Sequence, residues 1–61
     1  GPLMELITHM KKAEVGDVLE LLSTDEGTVN DVPEWVDKIG HEMVSSEEAD
    51  GVWHLKIRKM K

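Results

Sequence analysis

The chain has 61 residues, which allows one small domain, residues 1–61, with a modest core. It has no cysteine, so disulfides, thiolate zinc sites and a thiol nucleophile within these residues are excluded. With 13 acidic against 7 basic residues the formal charge is −6, which argues against nucleic-acid binding by phosphate neutralisation.

No apolar run approaches a signal-peptide core or a membrane span, so the reading is a soluble, cytoplasmic domain. Leu3, Leu6, Ile7 and Met10 recur at helical spacing, with Met4 beside them. Pro2 suits a first turn, and Lys11 and Lys12 suit a last one. The spacing predicts a helix over 2–13, followed by a turn at Glu14-Val15-Gly16-Asp17. The apolar run 18–22 then reads as a strand, with Leu19 and Leu21 on the packed face. Val18, Glu20 and Leu22 fall on the wetter side.

Residues 23–28 are polar and read as a loop. A second helix is expected to open around Asp31-Val32-Pro33, capped by Thr28 or Asn30, because a proline deep inside a helix clashes with the preceding turn. Its apolar stripe is Val32, Trp35, Val36 and Ile39, and Gly40 fits the position that ends it. Residues 41–47 read as a strand and 48–51 as a hairpin turn, signalled by Asp50-Gly51. The last strand, 52–59, alternates cleanly. Trp53, Leu55 and Ile57 share one face, and His54, Lys56 and Arg58 the other. The order α-β-α-β-β, with every element amphipathic, predicts an α/β two-layer sandwich (of the α+β kind) with two helices on one face of the sheet.

The first helix starts with nothing ahead of it. A helix feeding a strand commonly follows another strand in a βαβ unit. The expectation is therefore an N-terminally incomplete domain. In such a domain the strand at 18–22 is an open edge, a candidate for self-association. Gly1-Pro2 also matches the dipeptide that tag cleavage leaves.

Several segments carry a family resemblance. They are Gly1-Pro2-Leu3-Met4, Gly16-Asp17-Val18-Leu19-Glu20, the loop Ser23 to Thr28, Asp31-Val32-Pro33-Glu34-Trp35, Gly40-His41-Glu42, and the hairpin Glu47 to Arg58. Together, in this order and spacing, the chain resembles the TusA/SirA/YedF sulfur-carrier family. Gly1 to Met4 look like the second half of that family's Cys-Pro-x-Pro-Leu motif. The resemblance implies a β-α-β-α-β-β fold with a mixed four-stranded sheet, the last strand lying between the second and third. It also implies a persulfide relay. A cysteine would accept sulfur from a cysteine desulfurase or another persulfide donor and pass it to a sulfur-relay acceptor. This chain departs from the pattern in lacking the first strand and the Cys and Pro before Gly1. Glu26 stands where the family often has proline.

The physical logic of that motif is sound, since a helix N-terminus lowers a thiol pKa. Two readings stay open. One is a carrier whose cysteine lies upstream; the other is a cysteine-less interaction or regulatory module of the same fold. Gly1, Pro2, Leu3 and Met4 are the motif remnant, and Thr24, Asp25, Gly27 and Arg58 are candidate docking or anion contacts. A plain turn and cap is the favoured reading of the 24–28 segment. His9, His41 and His54 are too dispersed for metal-ligand spacing, and no cofactor is expected. Trp35 and Trp53 are expected in the core. No catalytic constellation is identifiable, so the chain alone is not expected to catalyse a reaction.

Overall fold

The computed structural model describes residues 2–61, with side chains from Met4 onward. Its elements are α1 (Pro2–Lys12), β1 (Val18–Ser23), α2 (Glu26–Ile39), β2 (Glu42–Ala49) and β3 (Val52–Arg58). The strands form one sheet in the order β1-β3-β2. The last strand is thus central, as the resemblance implies. Both pairings are antiparallel, so the three strands here make an antiparallel sheet rather than the mixed one of the four-stranded family fold.

Burial explains the layering. Leu6 and Met10 of α1, Val32 and Val36 of α2, and Leu55 and Ile57 of β3 form the core. Both helices therefore cover the face of β3 that its alternation marks as apolar. Val32, Val36, Leu55 and Ile57 are the largest fully buried side chains. Each such side chain stabilises a fold by about 1.5–3 kcal/mol. Leu19, Leu21, Trp35 and Met43 pack on the margin. Trp53 is half-buried between Ser23 and Glu48 in the sheet, so the core is centred on Leu55 and Ile57 instead.

The turns follow their residue types. Asp50 and Gly51 both take positive φ, +52° and +79°, as a two-residue type I′ hairpin requires. Gly40 takes φ +87° after α2. Its N–H donates to the Asp37 carbonyl, and the next N–H, of His41, donates to that of Val36. This paired arrangement satisfies carbonyls that the helix end leaves open. The turn after α1 is tied to the end of β3. Gly16 N–H donates to the Lys59 carbonyl at 2.7 Å, and Lys59 N–H to that of Asp17 at 2.8 Å.

Two expectations need correction. The segment 23–28 is not all loop: α2 begins at Glu26, and Pro33 lies inside it. Asp25, rather than Thr28 or Asn30, caps the helix. The lost proline N–H is offset because Thr28, Val32 and Val36, four residues apart, form one buried stripe. In addition, β2 is irregular: its register to β3 shifts between Met43 and Ser45, which makes Val44 an extra, exposed residue.

Candidate functional site

The two helices run the same way. Met10 and Lys11 near the end of α1 share a groove with Ile39 and His41 at the end of α2. Both helix N-termini therefore lie at the opposite end of the molecule, the end at which α1 opens with Pro2. Of Gly1, Pro2, Leu3 and Met4, Gly1 lies outside the described residues. In the first turn of α1 the N–H groups of Leu3, Met4 and Glu5 have no acceptor within the helix. They form the positive pole of the helix dipole. Met4 is exposed beside them, and its carbonyl accepts the Thr8 hydroxyl at 3.0 Å.

The neighbouring pole, that of α2, is already occupied. One Asp25 carboxylate oxygen accepts the Gly27 N–H at 3.1 Å, and the other accepts the Thr28 hydroxyl at 3.2 Å. The buried Ser23 hydroxyl accepts the Asp25 N–H at 3.1 Å and fixes the entry to the helix. Thr24, Asp25 and Gly27 thus sit together as a turn and cap. Arg58 is not with them. It pairs in register with Val18, at the other end of β1 from Ser23. Five residue steps along the strand separate those ends by about 17 Å. Its guanidinium donates to the Glu42 carboxylate at 2.5 Å, across the outer face of the sheet.

The histidines are dispersed. His9 lines a cleft between α1 and β1, and His54 faces Glu20 at 3.6 Å on the outer sheet face. Among the described residues no group of His, Asp and Glu is placed to hold a metal ion. His41, half-buried beyond α2, accepts the Met60 N–H on Nδ1 at 3.0 Å. Desolvation lowers its pKa below the ordinary 6.5, and the charges of Lys59 and Lys61 lower it further. The neutral ring is the form that can accept that bond. The unfolded chain binds a proton first as the pH falls through about 6.5, so stability is lost from there down to the lower folded-state pKa. An NMR titration should place the His41 pKa below 6.5, and Lys61→Gln should raise it. An unchanged value in that variant would contradict the electrostatic part of this account.

The comparisons with known proteins bear on this geometry. The family model described as sulfurtransferase TusA matches residues 1–59. The chain belongs to the TusA family. It is 48% identical over 61 residues to an Archaeoglobus fulgidus protein provisionally named a sulfur carrier, covering 100% of this chain and 84% of that one. It is 34% identical over 58 residues to the sulfur carrier protein TusA of Pseudomonas putida, covering 95% of this chain and 72% of that one. A third relative, from Halobacterium salinarum and also provisionally named a sulfur carrier, is 40% identical over 61 residues, covering 98% of this chain and 75% of that one. No solved structure is a significant match. Among the described residues no helix of this TusA-family chain is long and apolar enough to cross a membrane.

The sequence signals thus divide. A helix does open at Pro2. The cap residue Asp25 was visible in the sequence, and its acidic neighbour Glu26 marks the true start of α2. The bond from Met60 to His41 had no local signal, because 19 residues separate its partners.

Proposed function

We infer that this chain is the carrier body of a persulfide relay, with its accepting cysteine in a Cys-Pro pair ahead of Gly1 in the complete gene product. One observation carries the reading. Of the two helix poles at that end, that of α2 is filled by Asp25, while among the described residues α1 opens at Pro2 with Glu5 as the acidic residue of its first turn. A thiol held there is acidified by the dipole and the open N–H groups.

The step is an exchange at sulfur. The thiolate attacks the terminal sulfur of a donor persulfide. A sulfur–sulfur bond forms on the carrier while the donor's breaks, and the donor leaves as a thiolate that takes up the released proton. No net oxidation occurs and no cofactor is needed. A second exchange hands the sulfur to an acceptor protein. The donor is a cysteine desulfurase or another persulfide source, and the cytoplasm, where thiols stay reduced, is the fitting compartment. Without that cysteine the 61 residues offer no thiol to accept the sulfur.

The sheet supports an additional upstream strand. Among the described residues β1 pairs only with β3, and a cleft of about 380 Å³ lined by Leu6, Leu19 and Leu21 lies between its free edge and α1. A strand on that edge would satisfy its backbone groups and deliver the chain to α1. The same edge favours the second reading, an interaction module that pairs with another chain.

The test is mass spectrometry of the full-length gene product after incubation with a cysteine desulfurase and cysteine. The expected result is a gain of one sulfur atom on a cysteine two positions ahead of Gly1, where the family motif places it. A different residue at that position, or no gain there, overturns the relay and leaves the interaction module.

A further inference from the structure

The groove at the C-terminal end of the helices is far from the sulfur end. Nine residue steps along α1 separate Pro2 from Lys11, an axial distance of about 14 Å. The groove has a volume of about 330 Å³. That is near the lower bound for small-molecule pockets, about 300–1,000 Å³. Its walls are apolar: Ile7, Met10, Trp35 and Ile39. Its remaining lining is Lys11, Lys59, Lys61 and His41, and no Asp or Glu contributes.

That charge pattern runs against the composition. Acidic residues outnumber basic ones 13 to 7, yet three of the seven cations meet here without a counter-charge in the lining. None of the three lies in an ion pair among the described residues. Helix-end stabilisation accounts for part of the cluster, since Lys59 Nζ donates to the Ala13 carbonyl beyond α1 at 2.7 Å. It does not account for Lys61. That side chain lies over Gly40, where an added Cβ would come within 2.8 Å of its Cε. The Gly40 and His41 N–H groups already serve the carbonyls at the end of α2. His41 has Nδ1 committed as an acceptor, so its neutral ring carries the proton on Nε2 and has a donor to spare.

We propose that this groove binds a small amphiphilic anion, with a flat apolar body against Trp35 and Ile39 and a single anionic head among Lys11, Lys61 and the His41 ring. Apolar walls supply affinity, and a few polar groups at one rim fix orientation. The ammonium groups act as point charges, so a carboxylate and a sulfonate serve equally as heads. A like-charged cluster is also relieved by the incoming anion. The site is independent of the relay reading, because no residue of the motif remnant lines it.

The probes are 2-naphthoate and its uncharged amide, titrated into the full-length protein and followed by backbone NMR shifts and tryptophan fluorescence. Naphthoate should shift the amides of Ile39, Gly40, His41 and Lys61, and bind about tenfold more tightly than the amide analogue. Lys11→Gln and Lys61→Gln alter exposed side chains, and each should weaken naphthoate binding about threefold with little effect on the analogue. High salt should narrow the difference between the two probes. Equal binding of naphthoate and its amide by the wild-type protein overturns the proposal whatever the variants do. So do shifts centred on the outer face around Val18 and Leu22, or no binding at millimolar concentration.

Discussion

Leu55→Ala is expected to leave the domain largely unfolded at room temperature. Leu55 is fully buried in the central strand, beneath both helices. Removing a buried leucine side chain costs about 3–5 kcal/mol, the transfer term plus the cavity left behind. Domains are stabilised by roughly 0.05–0.15 kcal/mol per residue, which for this length is about 3–9 kcal/mol in total. The loss is therefore a large share of the whole. Urea unfolding followed by circular dichroism should show the cooperative transition lost or shifted to low denaturant. Ile57→Val, which removes one methylene from the same layer, should cost only about 1 kcal/mol. Val44→Ala, at the exposed extra residue of β2, should stay within about 0.5 kcal/mol. A Leu55→Ala variant as stable as the Val44 variant would show that the helices do not close over β3 as described.

The elements that were legible share a physical trait: their signals are local. The alternation of Trp53, Leu55 and Ile57 with His54, Lys56 and Arg58 marks one wet and one packed face, and the packed one holds the core. Asp50-Gly51 and Gly40 announce positive φ, which these residue types accept at low cost. The start of α2 was misread because a local rule, proline avoidance, was weighed without the tertiary term opposing it. Burial of Thr28, Val32 and Val36 outweighs one missing backbone bond. The extra residue in β2 was illegible for a related reason. Val44 looks like an ordinary strand residue until its partner strand sets the register.

The site divides along the same line. Where a helix begins is a local property, so the positive pole at Pro2 could be placed from sequence. That the α2 pole lies at the same end and is filled by Asp25 depends on how the helices pack. The basic groove was beyond local reasoning, because its lining comes from α1, α2 and the residues after each of α2 and β3. In sequence Lys59 and Lys61 belong to the basic segment 54–61, while Lys11 suits the last turn of a helix 40 or more residues earlier.

The cap that separates the two poles has its own expected result: Asp25→Ala should cost about 2 kcal/mol, more than the loss of a simple surface cap. Losing an N-cap side chain costs about 1 kcal/mol, for the N–H left without its acceptor. Here the second carboxylate oxygen also accepts the hydroxyl of buried Thr28, which the substitution strands. An unsatisfied buried hydroxyl adds about 1 kcal/mol or more. Three variants separate these contributions. Asp25→Asn keeps the acceptor for the Gly27 N–H and turns the Thr28 contact round, the amide N–H donating to the hydroxyl, so it should lose less than Asp25→Ala. Thr28→Val should be mildly destabilising in the wild-type background, where it deletes a satisfied bond. In the Asp25→Ala background it should restore part of the loss, because no stranded hydroxyl remains. Urea midpoints should therefore fall in the order wild type, Asp25→Asn, the Asp25→Ala/Thr28→Val double variant, and Asp25→Ala. Strict additivity of the two single changes would mean that the hydroxyl finds another acceptor, and that Asp25 stabilises α2 through the Gly27 N–H alone.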